Sequence, residues 1–231
     1  MEISAWISLG SIIFVSAILA LTSLKRAPGI GVLLAIVVIA GLTWLRGEGL
    51  AELGFVRPES WLATVLLSMM LGLILALAST LVIEPLTDRL AGTAIDHSLF
   101  DGIRGNLPGL LKLLLLVWVV VAFLEEIIFR GFLILELARW LGTGAWGLAV
   151  NLLFNSVLFG IAHWYQGRSG ALSTGAVGML IGVIFIAGGY NLWLPLLTHG
   201  FIDTFGLALV YLNGDRYLKS LVRGRSNQAG L

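Results

Sequence analysis

Residues 123 to 130 read FLEEIIFR, inside the apolar run LPGLLKLLLLVWVVVAFLEEIIFRGFLILEL. Glu125, Glu126 and Arg130 thus occupy a stretch where charge is costly: an ionised side chain at a membrane centre costs roughly 2.5–3.5 kcal/mol on insertion scales. Glu126 and Arg130 are spaced i, i+4, which puts both on one helix face as an ion pair. Glu125 is left over, rotated about 100° around the helix. Two more i, i+4 pairs follow, Phe159 with His163 and His199 with Asp203, each on a different apolar stretch. A carboxylate held in a low-dielectric pocket near a histidine and a water is suited to general-base work. His199 could then donate to a developing oxyanion, with Asp203 orienting or supporting it. Together these groups have the layout of a water-activating hydrolase. Separately, each has a plainer reading: a Glu–Arg clamp, an interfacial histidine, a helix-packing hydrogen bond.

The surrounding chain explains why convergence is the better reading. Of its 231 residues 58% are hydrophobic and 12% charged, with a mean hydropathy of +1.00, whereas soluble domains carry about 25% charged residues. The chain is therefore expected to be an all-α polytopic transmembrane bundle of about seven helices, near 4–24, 29–45, 60–83, 107–138, 145–164, 171–188 and 191–212. The longest polar link is 84–106, and 213–231 reads as a basic cytoplasmic tail. No second domain is visible in 1–231. The fourth stretch would run roughly 48 Å at a rise of ~1.5 Å per residue, against hydrocarbon ~30 Å thick, so it has to protrude, tilt or break.

Nine Lys and Arg lie on the side reached after helices 1, 3, 5 and 7 (Lys25, Arg26, Arg89, Arg104, Arg168, Arg216, Lys219, Arg223 and Arg225), and three on the other (Arg46, Arg57 and Arg139). The bias puts the C-terminus in the cytoplasm and the N-terminus outside, most simply in the cell membrane. The opening MEISAWISLG has an acid and no basic n-region, so it reads as a signal-anchor helix, not a cleaved signal peptide. With that topology Glu125, His163, His199 and Asp203 fall in the same, cytoplasmic half of the membrane. Lys112 and Glu136, the other ionisable residues in apolar stretches, are expected to snorkel toward helix ends.

Cys is absent, which excludes disulfides, thiolate catalysis and Cys-based metal sites. Nothing in the composition points to nucleic acid.

The three motifs, Glu125-Glu126-Ile-Ile-Phe-Arg130, Phe159-Gly-Ile-Ala-His163 and His199-Gly-Phe-Ile-Asp203, agree in order and spacing with the EExxxR, FxxxH and HxxxN/D motifs of the CPBP intramembrane proteases. That family includes the type II CAAX prenyl endopeptidases and the Abi or bacteriocin-immunity proteins. The resemblance covers about 105–212. It implies hydrolysis of a membrane-associated protein or peptide. By analogy Glu125 and His163 activate water, His199 and Asp203 stabilise the oxyanion, and Glu126, Arg130 and Phe159 support the site. The sequence has Asp203 where the prenyl-protease branch usually has Asn, and an ionised Asp accepts but cannot donate a hydrogen bond. Zinc would be the metal for a set such as Glu125, His163, His199 and Asp203. With no HExxH and no close-spaced ligand pair, a metal-free glutamate mechanism is favoured, with no cofactor. The alternative reading is a non-catalytic membrane scaffold or immunity-type protein. Two further rivals are a rhomboid-like serine protease using Ser169 in Gly167-Arg168-Ser169-Gly170, and a proton relay through Glu125 and His163.

Overall fold

The computed structural model describes residues 3–218, with side chains from residue 6 onward; the part of the expected basic tail from 219 lies outside the described residues. Among the described residues there is no strand, and seven helices are long and apolar enough to cross a membrane. They are α1 (Ile3–Leu24), α2 (Pro28–Arg46), α3 (Trp61–Ala91), α4 (Leu107–Leu141), α5 (Ala145–Ala162), α6 (Gly167–Ala187) and α7 (Trp193–Tyr211). The protein is an integral membrane protein. Much of its outer surface is apolar, as in Val37, Leu62, Leu115 and Val157, which suits contact with lipid.

Local chemistry sets the helix ends. Pro28 occupies the first turn of α2, where its missing N–H removes no hydrogen bond. Ser60 caps α3 by accepting from the Ala63 amide. Asn106 caps α4 by accepting from the Gly109 amide at 3.1 Å. Such caps satisfy amides that have no partner within the helix.

Two boundaries differ from the sequence reading. That reading ends α3 near residue 83, but the helix continues to Ala91. A π segment at Ser79–Ile83 precedes Pro85, widening the helix where the proline ring would otherwise meet the carbonyl one turn back. The extension is then anchored by Ser169, whose hydroxyl bonds Asp88 at 2.5 Å and Thr87 at 3.1 Å. For the same reason α6 begins at Gly167, not near 171. Further along, Arg104 grips Asp215 with two hydrogen bonds of 2.8 and 2.9 Å and also bonds Asp101. These carboxylates, Asp215 foremost, raise the Arg104 pKa above its ordinary value. The link before α4 is thereby tied to the chain beyond α7.

The fourth helix does not break. It runs 35 residues, with π segments at Val117–Val121 and Ile127–Ile134. Its first half shows Leu107, Leu111, Leu115 and Val119 to the outside. Its second half is enclosed: Ile128, Phe129, Arg130, Phe132, Leu133 and Ile134 are all buried. The core therefore forms around residues 126–137 of this one helix. Leu133 and Phe129 cluster there with Val15, Leu19, Ile39, Leu158 and Phe159.

Small residues let the other helices approach. A Cβ on Gly175 would lie 3.0 Å from the Ser156 carbonyl, while the Ser156 hydroxyl donates to the Gly175 carbonyl at 2.8 Å. This is a Ser–Gly contact of the kind that joins helices in lipid. Between α3 and α7, Gly72 faces the backbone of Phe201 and Ile202. At the end of the bundle where α7 begins, the 3₁₀ turn Leu50–Leu53 inserts its buried Leu53 beside Gly131. Leu192 N–H donates to the Gly54 carbonyl at 2.7 Å.

Candidate active site

The side chains singled out in the sequence converge from α4, α5 and α7. Glu125 and Glu126 end a short α-helical stretch, Ala122–Glu126, between the two π segments of α4. Inserted π turns reset which face a residue presents, and they recur at functional sites.

Glu126 and Arg130 are 2.8 Å apart and almost wholly enclosed, at 0% and 2% exposure. Arg130 also donates to the Gly178 carbonyl at 2.7 Å, and its guanidinium stands 5.0 Å over the Phe159 ring, a favourable cation–π distance. Gly178 has to be glycine: a Cβ there would meet the Phe159 ring at 2.7 Å. Phe159 therefore does more than precede His163. It packs edge-on against Phe129 at 4.8 Å and forms the floor under both histidines, with ring centroids 4.6 Å from His163 and 6.2 Å from His199.

Glu126 has a second bond that the spacing did not disclose. Its Oε1 accepts from His199 Nδ1 at 2.8 Å. One carboxylate thus joins α4 to α7 and fixes the imidazole plane. Because a carboxylate accepts, His199 Nδ1 carries a proton, and Nε2 faces Asp203 at 3.5 Å and Glu125 at 4.0 Å.

His163 caps the end of α5, and its Nδ1 donates to the Phe159 carbonyl at 2.9 Å. In the neutral ring, that bond leaves the Nε2 lone pair facing Glu125 Oε1, 3.9 Å away. Two acceptors therefore face each other across a gap too wide for a direct hydrogen bond. Glu125 Oε2 is enclosed and has no hydrogen-bond partner among the described residues. Asp203 is the most accessible member of the set, its side chain 29% exposed, so the cluster is open on that side.

Not every sequence expectation holds. Glu136 does not snorkel: it is 2% exposed and bonds Arg46 at 2.6 Å and Arg139 at 2.7 Å. Two arginines from different helices draw it inward. Lys112 is exposed. The Ser169 hydroxyl is committed to Thr87 and Asp88 of α3, with no hydrogen bond to a histidine, so it lacks the serine–histidine pairing of a rhomboid-like nucleophile. Among the described residues, no group of three or more His, Asp and Glu is disposed to hold a metal ion.

The sequence reading also missed three contributors. Trp118 lies over Gly200 and donates to the Thr204 hydroxyl at 3.0 Å, which in turn donates to the Gly200 carbonyl at 2.7 Å. The two residues hold α4 against the His199–Asp203 turn. Tyr165 places its ring 5.8 Å from that of His163. Trp118 is one apolar residue in a long apolar run, so nothing local marks it. Thr204 directly follows Asp203 and Tyr165 lies two positions after His163, the one signal available.

No curated protein and no solved structure matches the chain. A family model does match, over residues 107–205: type II CAAX prenyl endopeptidase, Rce1-like. The matched span holds all three motifs and every side chain of the cluster, and over that span the chain is similar to the CAAX-type membrane proteases.

Proposed function

We propose that the protein is an intramembrane endopeptidase that cleaves a membrane-associated protein or peptide by metal-free activation of water. The observation that carries this reading is the pair of facing acceptors, Glu125 Oε1 and His163 Nε2, 3.9 Å apart. Both require a donor, and a water supplies two protons while its oxygen lone pair stays free for attack. Contacts of this length between polar groups are commonly bridged by water.

The steps follow from the roles. Glu125 takes a proton as the water oxygen bonds to the scissile carbonyl carbon. The C=O bond becomes C–O⁻, and His199 Nε2–H donates to that oxyanion. As the tetrahedral species collapses, the C–N bond breaks and the proton held by Glu125 passes to the departing amine. His163 shares the water's protons and orients it. Glu126 fixes His199, and Asp203 balances the charge on its ring. Arg130 and Phe159 hold Glu126 and the two imidazoles in place.

The nine-to-three distribution of basic residues supports a cell-membrane protein with its C-terminus in the cytoplasm. Whether the substrate is prenylated is decided by comparison of a farnesylated fluorophore–quencher peptide with its unmodified counterpart on the full chain in proteoliposomes. Cleavage by wild type and none by folded Glu125→Gln is the expected result. Undiminished cleavage by Glu125→Gln sinks the mechanism. Stoichiometric zinc in the purified protein, with activity lost on its removal, sinks the metal-free form. Folded Glu125→Gln and His163→Ala variants that keep the cellular phenotype would favour the scaffold reading.

A further inference from the structure

Oxyanion stabilisation is strongest with more than one positioned donor. In the cluster, His199 Nε2 is the one ring donor aimed at the gap. Asp203, when ionised, accepts only, and Glu125 is assigned to the proton. The enclosing residues contain one further hydroxyl of the right kind, the phenol of Tyr165.

Its setting is built. Tyr165 lies on the 3₁₀ turn Trp164–Gln166 that links α5 to α6, directly after His163. Its half-buried ring tilts against the His163 imidazole at 5.8 Å. The neighbour Gln166 is pinned at three points. Its amide N–H donates to the His163 carbonyl at 2.9 Å, its carbonyl accepts from the Asp96 amide at 3.2 Å, and its side chain lies against Gly170, where a Cβ would collide with it. The Gln166 side-chain amide then donates to the Tyr165 oxygen at 3.2 Å. A phenol has one proton to give. Gln166 fills an acceptor position of the phenol oxygen and takes none of its proton, and no other side chain or carbonyl among the described residues takes that proton. The apolar ring is held by His163 and the polar tip is oriented by a fixed amide, an arrangement that presets a donor.

We propose that Tyr165 is a second oxyanion donor, its O–H hydrogen-bonding the substrate carbonyl oxygen as the C–O⁻ forms. No proton is transferred: Glu125 keeps the proton taken from water until the amine leaves, and Tyr165 stays a neutral phenol throughout. A neutral donor suits this site, which already holds three carboxylates. The inference rests on the peptidase reading above.

The test uses the full chain in proteoliposomes with the farnesylated and unmodified fluorophore–quencher peptides. Tyr165→Phe keeps the ring and removes only the hydroxyl. Its kcat is expected to fall about 10²- to 10³-fold, the usual loss for one oxyanion donor, with KM and the unfolding temperature unchanged. Tyr165→Ala should be no slower than Tyr165→Phe by more than its extra loss of folded protein. A peptide aldehyde, whose hydrate mimics the tetrahedral species, should bind Tyr165→Phe more weakly by the same factor. The matching peptide alcohol should bind both proteins alike. Wild-type kcat in Tyr165→Phe, beside an inactive Glu125→Gln, overturns the role of Tyr165 and leaves the peptidase reading standing. So does activity restored by Phe but not by Ala, which marks a packing role for the ring. Activity retained in Glu125→Gln overturns the glutamate mechanism on which the proton bookkeeping rests, and a wild-type chain that cuts neither peptide overturns both readings.

Discussion

Two buried glutamates lie on α4 one after the other, Glu126 and Glu136, and each has an arginine about one turn later. Their surroundings differ in kind. Glu136 is shared between Arg46 and Arg139, at 2.6 and 2.7 Å, and Glu48 reaches Arg139 at 3.1 Å. Two acids there meet two bases, with no histidine and no surplus. Glu126 has one arginine, a histidine and an adjacent second carboxylate, Glu125, which faces two imidazoles without bonding either. A balanced cluster ties helices together. An unbalanced one, with acceptors facing acceptors, calls for something from outside the protein.

The largest effect that tests this contrast is Glu125→Gln. It removes the surplus base and almost nothing else, because neither Glu125 oxygen makes a close protein hydrogen bond. Turnover should fall by about 10²- to 10⁴-fold, the usual contribution of a general base, while the unfolding temperature in detergent stays at the wild-type value. If both fall together, the two glutamate clusters are the same kind of object and the comparison fails.

Next comes Arg130→Ala. It strands Glu126, which is fully enclosed, and also frees the Gly178 carbonyl. Breaking one side of a buried pair costs about 3–5 kcal/mol, so little folded protein should be recovered. Whatever is recovered should be slow, because Glu126 also holds His199. Monodisperse yield and an unfolding curve measure the first effect, and kcat per folded molecule the second. Wild-type yield would mean that the pair is not the clamp its burial implies.

What the sequence could and could not show has the same physical origin as this contrast. Spacing at i, i+4 brought Glu126 to Arg130 and His199 to Asp203 because helix geometry is regular, and apolar length placed seven spans. Glu125 stood out because charge within a membrane needs a reason. The bond from Glu126 to His199 was hidden, because it depends on how far apart α4 and α7 pack and how the π segments turn α4. The burial of Glu136 was hidden likewise: its second arginine arrives from α2, ninety positions earlier. Continuation of α3 past Pro85 depended on a π turn that no residue type announces. Periodicity reports one helix at a time, whereas sites are made between helices.

Glu136→Gln sharpens the comparison from the other side. It keeps the volume and one oxygen acceptor but weakens charge-assisted bonds to Arg46 and Arg139. Hydrogen bonds to charged groups contribute about 1.5–3 kcal/mol, and the arginines are partly solvated, 19% and 42% exposed, so a loss of about 1–3 kcal/mol is expected. Hydrolysis per folded molecule should not change. A marked drop in kcat without a drop in stability would show that the two clusters communicate along α4.

The smallest expected effect belongs to Ser156→Ala, which sits in neither cluster. Its hydroxyl donates to the Gly175 carbonyl across the α5–α6 contact, three residues before Phe159 and three before Gly178 along their helices. Interhelical hydrogen bonds in membranes average about 0.6 kcal/mol, because a hydroxyl freed in the unfolded state finds another partner in its own helix. Loss of this one should therefore shift the unfolding curve only slightly and leave kcat alone. The position still tests something, because Ser156 lies on the same helix as His163 and the same crossing as Gly178. If Ser156→Ala slows turnover while stability barely changes, then the spacing of α5 and α6 sets the His163–Glu125 gap. The unbalanced cluster would then be tuned by ordinary helix packing as well as by its own charges.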